Sequence, residues 1–342
     1  MQWTTDGRRR CRKNAVLLCV RGSTTGRLNR ADRPYVIGRG VAAVESDSAV
    51  DQSFLFYALT FQLAALLERT TGSVFPNLSR DDIESLPIPW PGERVRGGIA
   101  EVLGALDDKI EANRRQIRLL DELIAATWLE AFVRSDARAW PKQEFGQVVK
   151  VLGGSTPSTK VGEYWDGNIA WATPKDLARG ESPPLLRTRR QITSLGLSQI
   201  SSGVLPCGTV LLSSRAPIGY LAIAEIPVAV NQGLIAIPPK GRLPGLYLWQ
   251  WLLHHLDEVE ARANGTTFLE ISKANFRTLP VQVPPEGVTK EWLEVAEPSY
   301  RLLVSRECEI GQLVALRDAL LPGLLSGQLR VRKAEGLVGE TL

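Results

Sequence analysis

Signatures of metal binding and nucleotide hydrolysis are what this sequence most plainly lacks. Histidine occurs twice in 342 residues, as the adjacent pair His254 and His255. The four cysteines, Cys11, Cys19, Cys207 and Cys308, form no Cys-x-x-Cys pair, so the ligand spacing of a zinc site is absent. They read as reduced, partly buried thiols of a cytosolic protein. No Gly-x-x-x-x-Gly-Lys-Ser/Thr loop is present to cradle a phosphate, and no Gly-x-Gly-x-x-Gly follows a strand. A nucleophile elbow and a His-Glu-x-x-His pair are also missing. Ser182-Pro183-Pro184 comes nearest to the Asx-Pro-Pro-aromatic tetrapeptide of amino-methyltransferases and lacks the rest. His254 and His255 lie in a Leu- and Trp-rich helical stretch, 246–263, where packing or surface exposure is a histidine's ordinary role. An enzyme with its own active site is therefore not expected, nor a metal. No apolar run approaches the ~20 residues that cross a bilayer. The run 15–20, behind a basic N-terminus, is ended by Arg21 and is too short for a signal peptide, so no membrane partner is expected and the location is cytoplasmic.

What is present is ordinary globular composition, 44% hydrophobic and 23% charged, enough to bury sizeable cores. At roughly 100–200 residues per domain, the length suggests two or three units. Lys and Arg number 41 against 37 Asp and Glu, a net charge of +4 that fits a polyanionic partner without demanding one.

The informative feature is self-similarity at a fixed offset. Val16-Leu17-Leu18 answers Val210-Leu211-Leu212 at 194 residues, after which the offset settles at 193. Gly26 pairs with Gly219, Gly40 with Gly233, Gly72-Ser73-Val74-Phe75 with Gly265-Thr266-Thr267-Phe268, and Leu86-Pro87-Ile88 with Leu279-Pro280-Val281. Each copy is a globular part followed by a long helical part. The second globular part starts near Trp140, whose counterpart would fall ahead of Met1. The first copy is thus expected to lack roughly its first third, and the residues before Asn14 match nothing in the second.

Residues 14–44 read as short strands and turns, 54–69 as a helix, and Ser79 as the N-cap of another. From residue 99 the apolar positions Ile99, Leu103, Leu106, Ile110, Asn113, Ile117, Leu120 and Ile124 alternate in steps of four and three, a heptad seam with one polar member. A second stripe, Leu303, Ile310, Leu313, Leu316, Leu320 and Leu324, predicts a helix from about Ser299 to Leu325, with Pro298 marking its start. The expected fold is α+β. Two tandem α/β domains, the first incomplete, are each followed by a long helix, and the helices pack as an antiparallel coiled coil with the globular parts at opposite ends. The segments are 1–91, a helical spacer 92–136, a complete second domain 137–286, a second helical segment 287–332 and a tail 333–342.

The motifs resemble those of type I restriction–modification specificity subunits. Gly153-Gly154-Ser155-Thr156-Pro157-Ser158, Glu163-Tyr164-Trp165, Ile169-Ala170-Trp171 and Pro174-Lys175-Asp176-Leu177 resemble the opening of that family's target-recognition domain. The stretch 208–219, then Asn231-Gln232-Gly233 and Gly265-Thr266-Thr267, resemble its middle and end. Ile88-Pro89, Leu106–Asn113 and Leu320–Gly327 resemble its spacers. The likeness covers nearly the whole chain from Val16 to Val331. It implies a non-catalytic subunit in which each domain reads half of a split, asymmetric sequence in double-stranded DNA. It also implies that the helices set the gap and dock two modification (methyltransferase) subunits, through which restriction (motor-nuclease) subunits join. S-adenosylmethionine, ATP and Mg²⁺ would belong to those partners; no cofactor is expected here. Two alternatives stand beside it: an interaction remnant that docks methyltransferase subunits without reading DNA, and a methyltransferase–nuclease fusion fragment, for which a cofactor motif is missing.

Phosphate contacts position a protein on DNA and base-edge contacts specify sequence. Arg215, in a Ser214-Arg215 turn after a strand, offers a planar fork to guanine or phosphate, and Arg21, near Ser23, is its counterpart. Thr266 and Thr267, like Thr71 and Ser73, flank a glycine that allows close backbone approach. Lys160, Lys175 and Lys273 suit phosphate, or a solvated surface. Gln232, counterpart of Arg39, suits adenine, or support of its turn. Ser155, Thr156, Ser158 and Asn231 complete the candidates. The nine Trp, six Tyr and eight Phe lie mostly in apolar patterns, which favours core packing over base stacking.

Overall fold

The computed structural model describes residues 9–69, 77–134, 140–178, 182–265 and 269–341. In chain order, β1 (Arg10–Cys11), β2 (Val16–Cys19), β3 (Leu28–Arg30), β4 (Tyr35–Val36) and β5 (Val41–Val44) precede α1 (Ala49–Phe61), α2 (Leu63–Leu67), α3 (Arg80–Glu84) and α4 (Glu93–Leu129). Next come β6 (Lys142–Glu144), α5 (Phe145–Val148), β7 (Leu152–Gly153), β8 (Trp165–Ala172), α6 (Pro174–Leu177), β9 (Pro184–Leu185), β10 (Arg190–Ile192) and α7 (Ser194–Leu197). Then follow β11 (Thr209–Ser213), β12 (Leu221–Ala224), β13 (Ala229–Val230), β14 (Leu234–Ile237), α8 (Gly245–His254), α9 (Leu256–Glu260), α10 (Lys273–Arg277) and β15 (Pro280–Gln282). The chain ends with α11 (Glu286–Leu325) and α12 (Val331–Gly339). Contacts divide it into one unit of Met1–Asn113 with Glu309–Leu342 and another of Arg114–Cys308.

The second unit is built on a five-stranded sheet, β7-β14-β11-β12-β9, beside a three-stranded sheet, β10-β8-β13. Both faces of the larger sheet are covered, which is why β14 reads as an unbroken apolar run, LIAI, and β11, TVLLS, is apolar between its polar ends, and why both are buried at every position. One face packs α8 and the end of α4 through Trp128, Tyr247 and Trp251. The other packs Ala172, Leu177 and Leu185 from the residues ahead of β11.

The first unit repeats the centre of that sheet as β3-β2-β5. Register is conserved: Leu18 stands opposite Leu28 and Ala42, as Leu212 stands opposite Leu221 and Ile235. The turns repeat too. Val20 N–H donates to the Gly40 carbonyl at 2.8 Å, as Ser214 N–H does to Gly233 at 2.9 Å. Leu78 N–H donates to Val20 at 3.0 Å, as Ile271 N–H does to Ser214 at 2.9 Å. Asn14 donates to Ala31 and Gly208 to Ala224, both at 2.7 Å. Asn14 takes φ 67° where Gly208 takes φ 80°, a left-handed turn that asparagine tolerates better than most residues.

This backbone match reaches further forward than the side chains suggest. Cys11 pairs antiparallel with Tyr35 just as Leu205 does with Val228, at the same offset. The expectation that nothing before Asn14 is repeated is therefore corrected: pairing is kept although Cys replaces Leu and Tyr replaces Val. Among the described residues, the first unit has no strand in the places of β6 to β10.

The helices follow the caps. Ser48 accepts Asp51 N–H, so α1 starts five residues before the apolar run that betrays it. Ser79 and its counterpart Ser272 cap α3 and α10 alike. Within the first unit, Ile99, Leu103, Leu106 and Ile110 of α4 share a core with Leu313, Leu320 and Leu324 of α11. Each such side chain contributes about 1.5–3 kcal/mol by leaving water. The two helices run antiparallel there: Asp107 meets Arg317 at 2.8 Å and Lys109 meets Glu309 at 3.1 Å. Within the second unit, Ile124 and Trp128 of α4 pack with Trp292, Ala296 and Tyr300 of α11. Asn113 and Ile117 are buried, Leu303 also; Leu120, Ile310 and Leu316 are half-buried.

One helix boundary is corrected. Helix α11 begins at Glu286, the counterpart of Glu93, and Pro298 lies inside it rather than at its start. Proline removes one helical N–H but leaves the chain's course open when packing holds both flanks. Trp292 and Ala296 before it and Tyr300 after it are all buried.

Candidate nucleic-acid interface

The motif 153–158 of the second unit is a loop fastened from several sides. A Cβ on Gly154 would lie 1.5 Å from the Val230 carbonyl oxygen, so only glycine fits. Indole N–H groups of β8 hold the loop: Trp171 donates to the Ser155 carbonyl at 3.3 Å and Trp165 to the Ser158 carbonyl at 3.1 Å. The Ser155 hydroxyl donates to the Gln199 carbonyl at 2.9 Å, and the Thr156 hydroxyl donates to the Gln232 side-chain oxygen. Ser158 accepts Lys160 N–H at 3.4 Å, and both side chains are exposed. The Lys273 side chain runs across Gly153. The fold thus gathers Ser155, Thr156, Ser158, Gln232 and Lys273 around one loop.

Beside it, α6 is fixed by one carboxylate. Asp176 accepts Thr173 N–H at 2.8 Å and the Thr173 hydroxyl at 2.7 Å, completing a capping box with Pro174 in the first turn. Its other oxygen accepts Arg189 N–H at 2.9 Å. That bond ties the turn to the segment carrying Arg189 and Arg190. The Arg190 guanidinium then lies 3.5 Å over the Trp165 ring, a cation–π stack that fixes its plane. These elements enclose a cleft of about 860 Å³, lined by Trp171, Lys175, Asp176, Arg189, Arg190 and Tyr220. Asn231 also lines it, with its side-chain oxygen accepting Gly233 N–H at 3.0 Å. Among the described residues, none of Lys175, Arg189 and Arg190 has an ion-pair partner, while Asp176 is engaged by three donors. The cleft therefore presents net positive charge with aromatic walls.

The remaining candidates are placed as follows. Ser214 is buried and serves the sheet through its backbone. Arg215 is about half exposed and pairs with Glu270 at 3.0 Å, while its backbone bridges the same residue. Its counterpart Arg21 bridges Asn77 and is exposed, as are Ser23 and Arg39. Thr71, Ser73, Thr266 and Thr267 lie outside the described residues. Sequence reasoning missed Arg189, Arg190 and Tyr220. The run Arg187-Thr188-Arg189-Arg190, three cations in four residues, is the signal that could have found two of them.

His254 is exposed and His255 half-buried, and both serve as stacking groups. Their rings stack on Trp128 and Trp251 at 4.5 and 4.1 Å, and each Nδ1–H donates to the carbonyl four residues back. Cys11 is buried, Cys19 half-buried, and Cys207 and Cys308 are exposed, all as free thiols. Among the described residues, no group of three His, Cys, Asp or Glu comes together as a metal site, and no helix is long and apolar enough to cross a membrane.

Comparison with known proteins places this architecture. The pattern of the family described as Type I restriction modification DNA specificity domain matches residues 5–121 and again 138–295. The chain is 36% identical over 178 residues to the type I restriction enzyme MjaIX specificity subunit of Methanocaldococcus jannaschii, a match covering 49% of this chain and 40% of that protein. A second relative from the same organism is matched over 62% of its length, so the chain spans less than two thirds of either. The HindI specificity subunit of Haemophilus influenzae is 18% identical, with 86% of this chain and 81% of that one covered. Among solved structures, the type I restriction–modification S subunit of M. genitalium shares the fold, with a TM-score of 0.61 at 18% identity over 92% of this chain and 83% of that one. Matched in both of its copies, the chain belongs to the type I restriction–modification DNA specificity domain family.

Proposed function

We propose that this chain is the non-catalytic, DNA-reading subunit of a type I restriction–modification complex, recognising part of a bipartite site and scaffolding modification subunits. The observation that carries the reading is the cleft of the second unit. The Arg190 guanidinium is fixed by stacking on Trp165, and among the described residues no carboxylate pairs with Lys175, Arg189 or Arg190, as suits a surface that meets phosphates and base edges. The stacked Arg190 keeps its in-plane N–H donors free for a guanine edge or a phosphate. The helices α4 and α11 would carry two modification subunits, and restriction subunits through them. S-adenosylmethionine, ATP and Mg²⁺ would be bound by those partners, and the whole would work in the cytoplasm, where the DNA is.

Co-expression with a cognate modification subunit, followed by single-molecule methylome sequencing, tests this. A stable complex that methylates one bipartite motif is expected. A stable complex with no modified motif would instead support a docking remnant that does not read DNA.

A further inference from the structure

We infer that the first unit holds DNA by its phosphates, through a row of three arginines, Arg27, Arg21 and Arg39, at one end of its sheet. The inference rests on the DNA-reading function proposed above and assigns a sequence-indifferent share of the binding to these residues. It comes from comparing the same sheet end in the two copies.

Backbone pairing sets the row. Cys19 N–H donates to the Arg27 carbonyl at 2.9 Å, and Val20 N–H to the Gly40 carbonyl at 2.8 Å. The β2–β5 register pairs Cys19 with Val41, so two residues further on Arg21 stands opposite Arg39. The three arginines thus sit on three adjacent chain segments, in the order β3, β2, β5, across about 10 Å. All three are exposed, and among the described residues no carboxylate pairs with them.

The matched end of the second unit has the same backbone and a different charge. Arg21 bridges Asn77 as Arg215 bridges Glu270. Glu270 also neutralises Arg215, at 3.0 Å. Asn77 stands in that carboxylate's place and carries no charge, so Arg21 keeps its own. Arg27 stands where Tyr220 stands, and Arg39 where Gln232 stands. The four matched positions therefore hold one cation and one anion in the second unit, against three cations and no anion in the first.

Like charges directly opposite across a strand pair repel one another. Arg21 facing Arg39, with Arg27 alongside, is a repulsion that no carboxylate paired to them relieves, and this selects a polyanion as ligand. A DNA duplex carries one negative charge per about 1.7 Å of its axis, so a row about 10 Å long meets several phosphates at once. How the arginines are held selects phosphate over base edge. The plane of Arg190 is fixed on Trp165, whereas among the described residues no ring stacks on Arg21, Arg27 or Arg39. A guanidinium without a fixed plane discriminates poorly among base edges and loses little as a partner of phosphate.

The test uses the full chain and a duplex of random sequence, with affinity read by fluorescence anisotropy between about 50 and 200 mM salt. Changing Arg21→Gln, Arg27→Gln and Arg39→Gln together should make the slope of log affinity against log salt shallower by about 2–3, since each phosphate contact contributes about 0.9. Arg21→Lys, Arg27→Lys and Arg39→Lys together should keep the parent's slope, because charge alone sets it. A slope lost in the lysine variant as well would trace the effect to folding and overturn the inference. So would an unchanged slope in the glutamine variant, or a loss confined to a duplex carrying the methylated motif, which would make the three arginines base readers. Release of the duplex by inorganic phosphate at matched ionic strength would make the row a site for single anions, and would overturn it too. The function beneath the inference is judged separately, by the parent's preference for the motif duplex over the random one. Preference with an immobile slope leaves the reading and removes the row; a slope that flattens without preference leaves the row and removes the reading. A parent that binds neither duplex overturns both.

Discussion

Arg190 owes its place to three other residues. Its backbone is paired to Trp171 in β8, its guanidinium stacks on Trp165, and its neighbour Arg189 is held by Asp176. A planar cation fixed by its faces keeps its edge donors available, which an ammonium on a flexible stem cannot imitate. Arg190→Ala should therefore weaken binding to a cognate half-site by about 1–3 kcal/mol, and Arg190→Lys should recover little of it. Fluorescence anisotropy on duplexes at several salt concentrations reads this; full rescue by lysine would reduce the residue to a point charge. Asp121 poses a separate question. Burial, and then repulsion from Glu122, raise its pKa above the ordinary carboxylate range, and its Oδ1 is buried with no hydrogen-bond partner among the described residues. A raised folded-state pKa means the native chain holds that proton more tightly than the unfolded chain. Stability from this group therefore falls as pH rises from the ordinary carboxylate pKa through the raised one, and the penalty is complete above it. Asp121→Asn should raise the melting temperature at pH 7 and flatten its acid-side slope, as thermal melts from pH 3 to 8 would show. A variant less stable than the parent at pH 7 refutes the account. Neither Arg190 nor Asp121 was legible as special in the sequence. A cation without periodicity and a carboxylate on a helical face look like solvated surface until tertiary neighbours are known.

Elements were more legible, because a repeat and its caps are local or strictly periodic. The offset of Ser79 from Ser272 places α3 and α10, and Glu93 and Glu286 open the two long helices at matching positions. Pro298 misled for a physical reason: local rules end a helix at proline, and packing of Trp292, Ala296 and Tyr300 overrides them. Of the heptad positions, Ile99, Leu103, Leu106, Ile110, Asn113, Ile117 and Ile124 are buried, the polar member included. Asn113 is 1% exposed, and its Nδ2 has no hydrogen-bond partner among the described residues. A buried amide between Ile110 and Ile117 costs stability and is retained in helix seams where it disfavours wrong registers. Asn113→Leu should accordingly raise stability to thermal unfolding, by about 1–3 kcal/mol, the penalty of an unsatisfied buried group. A drop in melting temperature would show that the amide finds a partner in solution.

At the scale of the whole molecule, one sheet design occurs twice, and the described parts of the copies differ in what surrounds it. The cleft with Lys175, Arg189 and Arg190 is made from β8, α6 and β10, for which the described first unit has no counterpart strands. If the cleft reads bases as proposed, that reading belongs to the second unit, and a lesion in the cleft should be felt on one side only. A complex carrying Lys175→Ala together with Arg190→Ala should still assemble, since neither residue lies on α4 or α11. Its methylated motif should keep the same gap and the same bases in one half. In the other half one or more positions should become degenerate, because each lost base contact surrenders about 1–3 kcal/mol of discrimination. Methylome sequencing of cells expressing parent and variant complexes decides it. Degeneracy in both halves would mean that the cleft sets the geometry of the whole complex rather than reading its own bases. An unchanged motif would remove the cleft from recognition and return the search to the Arg215 turn.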